Sequence, residues 1–326
     1  MAAGSDEFDL IRRYFDWAPV RSEVALGVGD DAALLDVPPG HQLAIGTDML
    51  IAGRHFPEAT APEDVAHKAL AVNLSDLAAM GASPLAFTLS LGLPATDESW
   101  LQRFSTGLRE AADRWGCDLI GGDTVGAPRL TLSITAFGAV PCGAAIRRGG
   151  ARSGDRVAVT GTIGDAALGL LLALGRAEAP STLSGDDRAY LLKRLDRPEP
   201  RLAAGQSLRD HVTAGLDISD GLLQDLGHLL TASGLAAEID LDAIPLSDAA
   251  GRWLDERPEN LGQLIAGGDD YELVVAVPAE VALDPAWGLT VIGRLTDEWL
   301  TGDIRERGGR ALPGQRGYNH FREGGA

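Results

Sequence analysis

Apolar positions along this chain follow two rhythms, and the switches between them lay out the elements. Phe8, Ile11, Tyr14 and Phe15 recur at helical spacing and predict a short opening helix. Residues 32–35 and 43–45 read as strands on either side of a Gly40-His41 turn. The next stripe, Val65, Ala69, Val72 and Leu77, predicts a long helix. It opens at Pro62, carries Glu63 and Asp64 at its positive dipole end and stops at Gly81. A strand over 85–91 follows, then a helix over 99–115 capped by Asp97, a short strand at Leu119-Ile120 and an alternating strand over 129–137.

The second half repeats the mixture. Strands are predicted over 157–159, 214–218, 236–240, 272–277 and 290–293, and helices over 166–174, 184–195 and 200–211. A further helix after Gly221 turns Leu222, Leu226, Leu229 and Leu230 inward. Strands outnumber helices in the first half, which favours α+β over a doubly wound sheet. At 326 residues the chain exceeds what one core usually holds. The glycine- and arginine-rich segment 141–154 is therefore read as a linker between domains at 1–140 and 155–326.

Acidic residues beside glycine or hydroxyl residues recur where apolar runs stop: Gly29-Asp30-Asp31, Thr47-Asp48, Ser75-Asp76, Gly122-Asp123-Thr124, Asp217-Ile218-Ser219-Asp220-Gly221 and Gly268-Asp269-Asp270. Singly, each is an ordinary turn or cap. Together they predict carboxylates at strand ends that converge and need cations, because like charges repel unless neutralised. Oxygen donors of this kind suit magnesium holding a polyphosphate. Asp76 falls late in its helix, where the dipole disfavours a carboxylate and a cation would compensate.

Charge and cysteine content narrow the classes. Lys plus Arg is 28 and Asp plus Glu is 47, a net charge of −19, which argues against nucleic acid and anionic membranes as partners. No apolar stretch is long enough to span a membrane, and the acidic start is no secretory signal. Cys117 and Cys142 lack metal or redox spacing and read as buried, inert thiols, consistent with a reducing cytoplasm. Neither a Walker A loop nor a dinucleotide fingerprint nor a kinase catalytic loop is present, so any ATP site belongs to a less common architecture. Arg147-Arg148 reads as a solvated basic turn or as a phosphate clamp. His55 reads as a loop histidine or a site residue, and Tyr318 with Phe321 as a tail pin or a stacking platform for a flat cationic ring.

Six motifs, in order, resemble those of the thiamine-monophosphate kinase family: Gly27-Val-Gly-Asp-Asp-Ala-Ala-Leu-Leu, Thr47-Asp48 with Gly53-Arg-His-Phe, 68–82, Gly121-Gly-Asp-Thr, Leu216-Asp-Ile-Ser-Asp-Gly-Leu and Gly267-Gly-Asp-Asp-Tyr-Glu-Leu. The resemblance implies a PurM-like α+β fold. Its N-terminal domain has a mixed or antiparallel sheet that builds a barrel across a homodimer, and a C-terminal α+β domain follows. It implies transfer of the ATP γ-phosphate to thiamine monophosphate, with several Mg2+ ions. The implied metal ligands are Asp31, Gly46, Thr47, Asp48, Asp76, Asp123, Asp217 and Asp220; the implied ATP contacts are Gly122, Asp123, Arg148 and Ser219; the implied substrate contacts are His55, Asp269 and Tyr318. Gly46 stands where relatives often have a hydroxyl, so contact there would be through backbone oxygen. Asp269 replaces the commoner glutamate and shortens the reach. Another enzyme of the superfamily, such as aminoimidazole ribonucleotide synthetase, and a non-catalytic acidic cation-binding protein are the alternatives. The absence of a cysteine near the N-terminus or at the C-terminus argues against selenophosphate synthetase and the hydrogenase maturation dehydratase.

Overall fold

The computed structural model describes residues 7–176, 183–312, 314, 317 and 318. These fall into two compact units, one bounded by Met1–Leu77 and Ala82–Gly143, the other by Ala78–Gly81 and Ala144–Ala326.

The first unit runs α1 (Glu7–Tyr14), β1 (Val24–Leu26), β2 (Leu34–Leu35), β3 (His41–Ile51), α2 (Pro62–Ala79), β4 (Ser83–Leu93), α3 (Glu98–Trp115), β5 (Asp118–Gly126) and β6 (Thr131–Pro141). Its four-stranded sheet has the order β3-β6-β4-β5, antiparallel except for the β4·β5 pair. That parallel pair is joined through α3, as a parallel connection requires. Asp97 caps α3 as expected, accepting from the N–H groups of Ser99 and Trp100 at 2.9 and 3.1 Å. Helix α2 departs from the single predicted stripe. Val65, Ala69, Val72 and Leu77 are buried, and so are Ala66, Leu70, Asn73, Leu74 and Ser75. Small residues let neighbouring backbone pack on every side, so the helix is internal rather than amphipathic.

The second unit carries β7 (Arg156–Thr160), α4 (Asp165–Ala173), α5 (Gly185–Asp196), α6 (Leu202–Leu208), β8 (Ala214–Ile218), α7 (Leu222–Ser233), β9 (Ala236–Ile239), α8 (Asp248–Asp255), α9 (Leu261–Ile265), β10 (Glu272–Val277), β11 (Leu289–Thr296) and β12 (Ile304–Glu306). The sheet order is β12-β9-β11-β7-β10-β8, antiparallel except where β12 meets β9. Alternation along the central strands feeds two cores. Val157, Val159, Leu216, Ile218, Val274 and Ala276 pack with the α7 leucines, while Ala158, Leu273, Val275 and Val277 pack with Leu208 and Trp287. Each fully buried α7 leucine contributes about 1.5–3 kcal/mol on transfer from water, so α7 fixes the loop at its own N-terminus firmly.

Two expectations are corrected. Thr47-Asp48 and Gly122-Asp123 lie inside β3 and β5, not at strand ends. The apolar run stops there because one face of the sheet is open, with Ile45 61%, Met49 55% and Val125 52% exposed, while the hydrogen-bond ladder continues. Of the two thiols, Cys117 is buried, and burial pushes its pKa far up. Cys142 is exposed, because it sits in the turn after β6, where its N–H reaches Gly40 O at 3.0 Å. No helix among the described residues is long and apolar enough to cross a membrane.

Candidate functional site

In the first unit, β3 pairing sets the candidate residues. Gly46, Asp48 and Leu50 share one face by the period of two, and a Cβ added at Gly46 would lie 3.2 Å from Asp76 Oδ2. The half-buried Asp76 of α2 therefore packs directly on the Gly46 backbone. Asn73, one turn earlier, accepts from the Asp48 N–H at 2.9 Å and donates to Ala69 O at 2.9 Å, which ties α2 to β3 at this level. Gly46, Asp48 and Asp76 are thus brought together.

Thr47 and Asp123 are placed on the other face. Thr47 Oγ1 donates to Ile134 O at 3.0 Å and accepts from Thr135 Oγ1 at 3.1 Å, which occupies most of its capacity. Asp123 pairs with Ser90, Ser90 with Ser133, and Ser133 with Met49, so Asp123 shares the open face with Met49. Three strand spacings separate that pair, roughly 14 Å. Gly122 has φ +152°, and a Cβ there would come within 1.8 Å of Leu89 O, so only glycine lets β5 approach β4. Asp31 is exposed in the loop before β2, its N–H donating to Asp30 Oδ1 at 2.8 Å. His55 Nδ1 accepts from the Ile51 N–H at 2.9 Å, which puts the ring proton on Nε2.

The second unit gathers its candidates more closely. Asp217 is the penultimate residue of β8, which runs into Ser219-Asp220-Gly221, the loop that opens α7. Asp225, one turn into α7, is buried and accepts from the N–H groups of Ser219, Asp220 and Gly221 at 3.0, 3.0 and 3.1 Å. Burial, then the charges of Asp217 and Asp220, raise its carboxyl to about 7 against the hydrogen bonds from Asp220 and Gly221. The Asp269 N–H donates to Ser219 O at 2.9 Å and the Tyr318 N–H to Asp220 O at 2.9 Å. Gln224 Nε2 bridges Asp220 Oδ2 at 3.1 Å and Tyr318 O at 2.9 Å. Asp217, Ser219, Asp220, Asp269 and Tyr318 therefore stand around one loop, while Phe321 lies outside the described residues. The Arg148 carbonyl accepts from Ser233 Oγ at 3.4 Å, at the C-terminal end of the 12-residue α7. That helix spans about 18 Å.

Among the described residues, no three His, Cys, Asp or Glu side chains stand close enough to hold a metal ion. Within the first unit, Gly46, Asp48 and Asp76 come together while Thr47 and Asp123 lie on the other face of the sheet, on its two edge strands; within the second, Asp217 and Asp220 share one loop region. The sequence reading passed over Asp225, although its place four residues after Gly221 marks it as an acceptor for the loop N–H groups. It also passed over the buried carboxylate Glu272.

The comparisons with known proteins match this architecture. The family model for the AIR synthase related protein N-terminal domain matches residues 29–140, and that for its C-terminal domain matches 152–304. The chain thus has the two-domain α+β fold of that class. It is 46% identical over 330 residues to the thiamine-monophosphate kinase of Escherichia coli (strain K12), covering 98% of this chain and 99% of that one. The crystal structure of thiamine-monophosphate kinase from Stenotrophomonas maltophilia K279a matches with a TM-score of 0.79 at 42% identity, covering 90% of this chain and 93% of that one. A structure of AaThiL complexed with AMPPCP and TMP matches with a TM-score of 0.78 at 31% identity, covering 96% of each chain. The chain belongs to the thiamine-monophosphate kinase family.

Proposed function

We propose that this chain transfers the γ-phosphate of ATP to thiamine monophosphate, giving thiamine diphosphate and ADP. The observation that carries the reading is the convergence of Asp217, Ser219, Asp220, Asp269 and Tyr318 on the β8–α7 loop, in a family member whose relatives bear that name. The solved relative complexed with AMPPCP, an ATP analogue, and TMP supports both substrates.

The donor set fits magnesium. It consists of hard carboxylate oxygens, and in the second unit they crowd enough that Asp217 and Asp220, after burial, help raise the pKa of the neighbouring Asp225 carboxyl. Asp217 and Asp220 in the second unit, and Asp31, Asp48, Asp76 and Asp123 with Gly46 and Thr47 in the first, are assigned as its ligands. Bound magnesium would neutralise the polyphosphate and screen its repulsion from the acceptor. The acceptor is already an anion, so no strong general base is needed. The chain's own work is positioning. Asp225 and the Gly221 turn hold Ser219 and Asp220 in place. His55 offers an Nε2–H donor suited to a phosphate oxygen. Gly122, Asp123, Ser219 and Arg148 are assigned to ATP, and Asp269 and Tyr318, with His55, to thiamine monophosphate.

A second copy of this chain is assigned to the open face of the first unit's sheet, where Leu43, Ile45, Met49 and Val125 are exposed; such an apolar patch is otherwise a liability. The reaction is placed in the cytoplasm, where ATP is available. Incubating the protein with magnesium, ATP and thiamine monophosphate and separating the thiamine esters by chromatography tests the reading. Thiamine diphosphate should accumulate; its absence, or product from a purine ribotide instead, refutes it.

A further inference from the structure

The segment 268–271 is tightly constrained. Asp269 (φ +69°) and Tyr271 (φ +51°) are both left-handed, a conformation that costs a bulky residue about 1–3 kcal/mol and persists only where its surroundings impose it. Those surroundings are visible. The backbone N–H groups of Asp269 and Tyr271 donate to Ser219 O and Ile218 O at 2.9 and 2.8 Å. A Cβ on Gly268 would meet Ser219 O at 2.2 Å, so the segment lies directly on the β8–α7 loop.

Between the two left-handed residues sits Asp270, fully buried. Its two carboxyl oxygens lie 3.0 and 2.8 Å from the Gly164 nitrogen, whose N–H donates to them. Its carbonyl accepts from Arg194 at 3.3 Å. Arg194 also holds Glu272 at 3.0 Å, and Glu272 is held in turn by Arg201 and by Thr160 Oγ1 at 2.6 Å. Tyr271 carries its hydroxyl back to Asp269 Oδ1 at 3.0 Å. The buried side therefore clamps the segment at 270 and 272, and the other side presents 269 next to Ser219 and Asp220.

We propose that Asp270 is a positioning residue for substrate recognition, clamping the segment to Gly164 so that the left-handed backbone at 269 and 271 sets the direction of the Asp269 carboxylate. This rests on the assignment of Asp269 to thiamine monophosphate. The shorter side chain at 269 makes its direction matter more, because an aspartate has one fewer methylene with which to correct its aim. Removing the anchor frees the backbone to leave the left-handed region and turns Asp269 away, while Asp225 still holds the Ser219, Asp220 and Gly221 N–H groups of the loop assigned to ATP.

The test compares Asp270→Ala with Asp270→Asn, which keeps an acceptor for Gly164. Asp270→Ala should raise KM for thiamine monophosphate tenfold or more, with KM for ATP within twofold of wild type, and Asp270→Asn should bring the first value back to within threefold. Asp270→Ser replaces the alanine variant if that one gives no folded protein, with the same split expected. Equal rises in both KM values, or unchanged KM for thiamine monophosphate in a folded alanine or serine variant, would overturn the proposal. A readout free of turnover is the 19F resonance of fluorotyrosine at position 271, assigned with Tyr271→Phe. It should move in Asp270→Ala and return in Asp270→Asn, and an unmoved resonance refutes the clamp. A wild-type protein that makes no thiamine diphosphate while that resonance still moves refutes the assigned reaction and not the clamp.

Discussion

The two units present their acidic residues by different means. In the second unit, Ser219, Asp220 and Asp269 lie on loops that a helix terminus, a buried carboxylate and a left-handed segment hold in place before any ligand arrives. In the first, Thr47, Asp48 and Asp123 lie on continuous strands, where register fixes the backbone and leaves the side chains exposed. Loops need buried polar anchors to be rigid; strands obtain rigidity from the ladder. Substitutions should therefore separate stability from activity differently in the two units.

The largest effect is expected at the loop anchor. Asp225→Ala strands the buried Gly221 N–H and the part-buried Ser219 and Asp220 N–H groups, at about 1–3 kcal/mol for a fully buried one and less for the others. Chemical denaturation should show a loss of about 3 kcal/mol or more, together with loss of turnover. A variant as stable as wild type would break the contrast. Gly122→Ala comes next, since its Cβ would collide with Leu89 O. We expect about 2 kcal/mol of destabilisation in the same measurement. Asp48→Ala should behave oppositely to Asp225→Ala: stability within about 0.5 kcal/mol, because the side chain is exposed, and turnover down a hundredfold or more.

The smallest effect sharpens the comparison from outside the site. Asp187 is paired with Arg252 between α5 and α8, and that hydrogen bond, with the Ser184 N–H, lowers its carboxyl to about 2. A carboxyl depressed in the folded state stabilises the protein above its unfolded value, near 4, and loses that contribution as pH falls through about 2. Asp187→Asn should therefore be slightly less stable than wild type above pH 4, converge with it below pH 2 and leave both KM values unchanged. Melting curves across that range, with kinetics at neutral pH, check this.

How far the sequence announced these features depended on range. The Asp217–Gly221 motif was legible because the apolar run there stops at a true strand end, with glycine at φ +123° beginning the helix. Thr47-Asp48 was misplaced at a strand end, because an edge strand with one open face loses its apolar pattern before it loses its hydrogen bonds. Asp225 was within local reach, four to six residues from its partners. Asp270 and Glu272 were not, since their partners Gly164 and Thr160 are more than a hundred residues away and no local periodicity records such a bond. The fold class followed from the mixture of rhythms. The separation of Asp123 from Asp48 across the sheet followed only from the register of four strands.

The destination of the phosphoryl group defines the reaction. With γ-labelled ATP, thiamine monophosphate and magnesium, label should appear in thiamine diphosphate in equal amount to the ADP formed, and chelation should stop both. Label released as free phosphate while thiamine monophosphate stays unchanged, or transfer that persists in chelator, would contradict it.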